Sequence, residues 1–399
     1  MKTAAIISEY NPFHIGHEYQ IRKIREEFGE DTAIIAIMSG NYTQRAELAL
    51  LGKQHRAKCA VLGGVNLVLE LPFPFSSASA EFFARSGVRI ADAIGVVDFL
   101  SFGSECGDAE ILKNAAKVTQ SDAYRSEFCA LATDKTIGYP KKCEIAYKNA
   151  GGTDNFTFTA NNILAIEYIK AIDSLCAKLS IHTLQRVGAD YNDTALGSSG
   201  YPSAMAIRRR LSNGGAITDY VPSYCHEILQ QCICDGELPT DIERVSSALI
   251  SHLRLNPPMP NDDYHDANDG LYNRLYNASR EASNISSLFE LTETKAYTKA
   301  RFRRAAWNIF FGVTSSDVKM LPRYTQVLAM DDVGMLLLKK ARKLTEIPIL
   351  TKPSATSSLP EDAKKQKELS DKADSVYELS KPNPKTARNV FTFTPFIKK

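Results

Sequence analysis

Short strand-like runs alternate with amphipathic stretches through the first half of the chain. Thr3–Ser8, Thr32–Met38, Asn66–Leu71, Val96–Leu100 and Leu179–Leu184 read as strands. Between them, Gly16–Phe28, Lys53–Leu62, Ser79–Ile90, Glu110–Lys117 and Asn162–Ala171 read as helices, and Ala204–Leu211 follows as a shorter one. Strands alternating with helices predict a mostly parallel sheet covered on both faces. A ligand of such a sheet sits beyond the carboxyl ends of the strands, where the strand order reverses.

After about Gly215 the pattern changes. Strand-like runs become scarce, and Ile242–Leu253, Leu271–Ala282, Lys299–Phe311 and Asp332–Leu344 read as helices, with Pro257, Pro258 and Pro260 separating the first two. Between Lys295 and Lys352 stand twelve Lys or Arg against four Asp or Glu. Pro353–Pro384, rich in Ser, Pro, Lys and Glu, reads as a connector with one or two short elements. The expected organisation is an α/β domain over 1–215, a mainly α-helical and locally basic domain over 216–352, and a connector with a C-terminal segment over 353–399.

The 399 residues are 44% hydrophobic and 24% charged, which excludes a wholly disordered chain. The net charge is only +2, so any nucleic-acid surface must be local. No apolar run approaches the ~20 residues of a bilayer helix. Ala60–Leu69 is stopped by Glu70 and Pro72, and Ala4–Ile7 is ended by Glu9 and Asn11-Pro12 before it could act as an export signal. Eight cysteines without a CxxC pair point to reduced thiols and the cytoplasm, with no membrane association. Cys225, His226, Cys232 and Cys234 form the one cluster, but they lack zinc spacing and read as free thiols; no metal site is expected.

The candidate chemistry comes first in the chain. Asn11-Pro12-Phe13-His14-Ile15-Gly16-His17 joins the first strand to the first helix. A helix N-terminus presents unpaired N–H groups to an anion, and Gly16 lets backbone approach it. His14 and His17, three apart, fall on one side of the incipient turn and can donate to a phosphate as it becomes five-coordinate. The plainer alternative is a pair of histidines in an ordinary loop. A second element, Tyr201-Pro202-Ser203 through Arg208, places a hydroxyl at a helix start and a guanidinium about one turn later. That pair can hold an outgoing pyrophosphate, although N-capping by Ser203 is the simpler reading.

Together these two elements resemble the signatures of the HxGH nucleotidyltransferase superfamily. Five more blocks narrow the resemblance. Met38–Arg45, Leu67–Pro72, Phe102–Glu105, Asn161–Tyr168 and Gln185-Arg186-Val187-Gly188-Ala189, in order with Glu9–His17 and Ser203–Arg208, resemble the tRNA(Met) cytidine acetate ligase family. The likeness covers most of 1–215 and continues more loosely into Arg301–Arg304. Ala46-Glu47-Leu48-Ala49 stands where that family usually has Gly-Glu-Pro-Ala, Ala160-Asn161 where it has Pro-Asn, and Ala165 where Gly is common.

The resemblance implies a Rossmann-like nucleotidyltransferase domain followed by a mainly α-helical domain. It implies activation of acetate by ATP to acetyl-adenylate, then acetyl transfer to N4 of the wobble cytidine of elongator tRNA(Met). The implied ATP site is Ile7, Ser8, Glu9, Tyr10, Asn11, Pro12, Phe13, His14, Ile15, Gly16, His17, Glu18, Tyr19 and Gln20, with Gly103, Asn161 and Arg186. Asn162 is the neighbour that could exchange with Asn161. His14, His17 and Arg208 are the implied catalytic groups, with Mg²⁺ expected alongside ATP. Glu9, Gln44 and Arg45 are candidate pocket residues because they lie near strand ends. Lys299, Arg301, Arg303 and Arg304, interleaved with Tyr297 and Trp307, could follow an RNA backbone, or else form a solvated face over core aromatics. Two other functions remain open at this level. One is a small-molecule adenylyltransferase or diverged paralogue, and the other is an RNA-binding protein on a retired scaffold.

Overall fold

Among the described residues, eight strands form one sheet. The structure is a computed structural model that describes the chain except residues 1, 133, 135, 187–202, 295 and 296. The strands are β1 (Thr3–Ser8), β2 (Ala33–Ser39), β3 (Leu67–Leu71), β4 (Phe99–Ser104), β5 (Ser180–Gln185), β6 (Thr325–Met330), β7 (Ile349–Leu350) and β8 (Phe396–Ile397). Their spatial order is β5-β4-β1-β2-β3-β6-β7, with β8 added to β6.

β1 to β5 are all parallel, as the alternation of strands and helices predicts. The chain builds outward from β1 through β2 and β3, then returns to the other side of β1 with β4 and β5. The order therefore reverses between β1 and β4. The ladder there pairs only Ala4 with Phe99 and Ala5 with Leu100, whereas β1–β2 and β4–β5 each pair along six residues. Pairing stops short at the carboxyl ends of β1 and β4, and a crevice opens between them.

Side chains alternate across the sheet as a two-residue period requires. Ala5, Ile7, Ile35, Ile37 and Leu69 face one core, beneath the helices Ala80–Ala93 and Ala160–Ser174. Ala4, Ile6, Ile34, Ala36 and Met38 face the other, beneath Ile15–Phe28 and Lys53–Leu62. Each isoleucine so buried contributes roughly 1.5–3 kcal/mol, which fixes the strand register and with it the position of the crevice.

Two features differ from the sequence expectation. Residues 216–352 are mostly helical, but they also supply β6, which runs antiparallel to β3 in the main sheet. A third core around Trp307, Phe302 and Leu275 takes in Tyr42 and Phe73 from the N-terminal half. Within the expected connector, Glu361–Glu378 is an 18-residue helix with a buried face. That face carries Gln366, Lys367, Asp371 and Asp374, so hydropathy does not reveal it. The polar groups are matched inside: Lys53 Nζ lies 2.6 Å from Glu70 and 2.5 Å from Asp374, Asn41 donates to Asp374 at 2.8 Å, and Lys367 pairs with Asp371.

Candidate active site

The junction between β1 and the helix Ile15–Phe28 is built from its own sequence. Tyr10, at φ 47°, turns the chain, and His14 becomes the N-cap of the helix. His14 Nδ1 accepts a hydrogen bond from the Gly16 amide at 3.1 Å. His17 Nδ1 accepts one from the His14 amide, also at 3.1 Å. This is a reciprocal capping box made of imidazoles. With Nδ1 accepting on both rings, the neutral tautomer carries its proton on Nε2.

The two rings stack with centroids 3.7 Å apart, and Tyr10 meets His17 edge-on at 4.8 Å. Burial, with the charge of Arg186, pushes the His14 imidazole down to about 3. Burial, then His14, then Arg186 push His17 well below its usual value. Both rings are therefore neutral at pH 7 and offer two N–H donors side by side.

A cavity of about 240 Å³ fills the crevice between β1 and β4. Ile7, Ser8, Glu9, Tyr10, Asn11, His14, His17, Gln20, Gly103, Asn161 and Arg186 all border it, together with Gln44, Arg45 and Ser203. A Cβ added at Gly103 would stand 3.2 Å from Arg186 Cγ, so the bare backbone lets that arginine lie across the end of β4. Asn161 donates to Glu105 at 2.6 Å. Burial raises the Glu105 carboxyl, but hydrogen bonds from Thr159 and Asn161 outweigh it and hold the group below its usual value. Ser203 accepts from the Ala206 amide at 3.1 Å, so it caps its helix as well as bordering the cavity.

Other residues named from the sequence stand off the cavity. Asn162 is turned away, accepting from the Cys106 amide at 3.0 Å and donating to Thr157 at 3.0 Å. Phe13 is buried in the core beside Tyr10, and the Gly16 amide is spent on His14. Ile15, Glu18 and Tyr19 border a separate surface groove, where Glu18 also accepts from the Tyr224 hydroxyl at 2.5 Å. Pro12 is not among the residues bordering the cavity. Arg208 also stands behind the wall, donating to the Asn11 carbonyl at 2.9 Å and to Glu47 at 3.2 Å. Val187, Gly188, Ala189, Tyr201 and Pro202, from the ends of two matching blocks, lie outside the described residues.

Sequence reasoning missed two parts of the site. Phe83, Phe102, Leu164 and Tyr168 form an apolar wall, and each reads from sequence as an ordinary core position. Arg56 is fully buried and donates to four carbonyls: Glu9 at 2.6 Å, Gly40 at 2.5 Å, Leu51 at 2.8 Å and Ser39 at 3.1 Å. It ties the ends of β1 and β2 together. The one available signal was an arginine on the apolar face of the helix Lys53–Leu62.

The basic helix Lys299–Phe311 is more committed than its composition suggests. Lys299 lies 3.2 Å from Glu293, Arg301 2.8 Å from Asp269, Arg303 2.6 Å from Glu47 and Arg304 2.6 Å from Asp266. Arg304 is buried, and Trp307 is wholly inside the third core, so neither presents itself to solvent. The cysteine cluster disperses, with Cys225 and Cys232 buried and Cys234 exposed. Cys232 instead approaches His55 and Glu237, with potential ligand atoms within 4.8 Å of one another. Glu237 is already engaged by His55, Lys381 and Lys385, and burial with Glu237 pushes the Cys232 thiol up to about 12.

Residues 1–390 match the family described as HIGH Nucleotidyl Transferase. A tRNA(Met) cytidine acetate ligase of Caldanaerobacter subterraneus is 33% identical, each chain being covered in full. One from Caldicellulosiruptor bescii is 39% identical over 76% of this chain and 75% of its own. The crystal structure of Thermotoga maritima TmcAL bound with alpha-thio ATP superposes with a TM-score of 0.89 at 30% identity, covering 100% of this chain and 99% of that one.

Proposed function

The chain belongs to the tRNA(Met) cytidine acetate ligase family and is an ATP-dependent ligase, and we propose that the crevice between β1 and β4 is where it joins acetate to AMP and passes the acetyl group to RNA. The observation that carries this reading is the stacked, neutral His14–His17 pair with both Nε2–H groups available at the cavity. Neutral donors suit the α-phosphate, because they stabilise charge as it develops and need no reorganisation.

In the first step a carboxylate oxygen of acetate attacks the α-phosphorus, the bond to the bridging oxygen breaks, and pyrophosphate leaves. His14 and His17 donate to the α-phosphate oxygens, while Arg186 faces the outgoing anion and Arg208 reaches it from behind Asn11. The apolar wall of Phe83, Phe102 and Leu164 keeps water from the mixed anhydride. Glu9, the carboxylate among the residues bordering the cavity, would hold Mg²⁺, which would neutralise charge on the triphosphate. In the second step N4 of the wobble cytidine attacks the acetyl carbon, the bond from that carbon to the phosphate oxygen breaks, and AMP leaves with the proton given up by the amine. The anticodon base must be splayed out of its stack to reach the crevice. Lys299, Arg301 and Arg303 are the surface cations we assign to the elongator tRNA(Met) backbone, and Arg304 serves as an internal anchor.

The test is incubation with ATP, labelled acetate and unmodified tRNA(Met). Label is expected in acetyl-AMP and then in N4-acetylcytidine. Label confined to acetyl-AMP would favour a paralogue that shares only the first half-reaction, and no label in either would overturn the reading.

A further inference from the structure

Glu47 joins Arg208 and Arg303 at one carboxylate. Its Oε2 receives Arg208 at 3.2 Å and its Oε1 receives Arg303 at 2.6 Å. It sits on a short hairpin closed by the Tyr42–Leu48 bridge, with Ala46 at φ 56° in the turn. The tip of that hairpin, Gln44 and Arg45, borders the cavity. Its base places Tyr42 edge-on against Trp307 at 5.3 Å, on the helix that carries Arg303. A surface groove of about 410 Å³, bordered by Glu47, Phe289, Lys299 and Arg303, opens onto this ion pair.

We propose that Glu47 is a positioning residue that makes triphosphate and RNA oppose each other, so that RNA is gripped only after pyrophosphate has left. The inference rests on the proposed roles of Arg208 and Arg303. A carboxylate shared by two guanidiniums satisfies each only in part. When Arg208 turns toward the pyrophosphate group, Glu47 is left to Arg303 alone and holds it away from RNA. When pyrophosphate departs, Arg208 returns, its charge competes with Arg303, and Arg303 is loosened toward a nucleic-acid phosphate. Linkage then makes the opposition mutual: RNA bound through Arg303 weakens the triphosphate by the same factor. All three side chains are part-exposed, so solvent screening puts the effect at the low end of ordinary coupling, about fivefold.

The experiment measures the affinity of an unmodified tRNA(Met) transcript with and without saturating α,β-methylene-ATP, for the full chain and for Glu47→Gln and Glu47→Asp. The wild type should bind the transcript about fivefold more weakly with the analogue present. Glu47→Gln should lose that difference while still binding each ligand by itself, and Glu47→Asp should recover part of it. A merely structural role would alter both affinities without abolishing their interdependence. Equal affinities in the wild type, with both ligands binding individually, would overturn the relay alone. Coupling that survives undiminished in Glu47→Gln would overturn it too, since direct repulsion between the two anions would then suffice. If the wild type fails to bind either ligand, the functional reading falls and the relay falls with it.

Discussion

The imidazole corner after β1 and the helix Lys299–Phe311 both carry groups suited to phosphate, and they differ in what already occupies those groups. At the corner, backbone amides take the Nδ1 atoms of His14 and His17 and thereby direct the Nε2 protons outward. On the helix, each of Lys299, Arg301, Arg303 and Arg304 is matched to a carboxylate. The first arrangement is preorganised for an anion. The second must exchange one anion for another, so its affinity for phosphate is reduced by the ion pair it gives up. A count of basic residues treats the two alike; their partners set them apart.

The largest effect should come from the corner. Asparagine at position 17 can still accept the His14 amide but has no Nε2–H. His17→Asn should therefore lower acetyl-adenylate formation by about 10²–10³-fold, the usual cost of one lost donor to a developing oxyanion. The thermal midpoint should stay within a few degrees of wild type, because the cap is kept. Acetate-dependent pyrophosphate exchange reads the activity. Exchange at the wild-type rate would reduce the histidines to a helix cap, and the contrast with the basic helix would collapse.

How legible each region was in the sequence follows from how far apart its partners lie. His14, Gly16 and His17 organise one another within four positions, so spacing sufficed to find them. The parallel strands were legible because burial on both faces leaves β2 and β3 without interruption by charge until Glu70. The carboxylates that neutralise the helix were not legible: Glu47 is 256 positions from Arg303 and Asp266 is 38 from Arg304. The same distance hides Asp374, 321 positions from Lys53, and with it the buried face of the helix Glu361–Glu378. Arg208 was named for a pyrophosphate, yet its contact with Glu47 depends on a fold that local pattern does not supply. Short-range capping can be read from a sequence. Charge compensation across the fold has to be seen.

The helix itself offers a sharper contrast between neighbouring arginines. Arg304→Gln leaves Asp266 without its closest cation in a buried setting and should cost roughly 2–3 kcal/mol, somewhat less than the ~3–5 kcal/mol of breaking a fully buried pair. Arg303→Gln should instead weaken tRNA binding a few-fold and make log K against log salt shallower by about 0.7–0.9, the signature of one lost phosphate contact. Urea midpoints and salt titrations measure the two. A stability loss in Arg303→Gln equal to that in Arg304→Gln would mean that both arginines are structural.

Acid should expose the burial of the corner. The folded pKa of His14 lies at about 3, below the ordinary value of 6.5, so the unfolded chain takes up the proton first. Stability is therefore fully present above pH 6.5 and is lost as pH falls toward 3. The slope approaches ~1.4 kcal/mol per pH unit, or about 2 kcal/mol between pH 6.5 and 5. His14→Asn, which keeps an acceptor for the Gly16 amide, should flatten the fall in urea midpoint over that interval. An unchanged slope would mean that the ring is protonated or solvated in the folded protein.

The smallest effect belongs to the hairpin between the two regions. Ala46 is fully buried at φ 56°, a conformation costing a non-glycine residue roughly 1–2 kcal/mol. Ala46→Gly relieves that cost, but it adds about 0.4–1 kcal/mol of unfolded-state entropy and removes a buried methyl of about 0.8 kcal/mol. The three terms nearly cancel, so the urea midpoint should move by less than the equivalent of ~0.5 kcal/mol. Stabilisation well beyond that would mean the turn is strained and the alanine methyl packs poorly. A loss above ~1 kcal/mol would mean the methyl's contacts outweigh the turn, and that packing of the hairpin against the helical half, more than its backbone, sets where Glu47 stands.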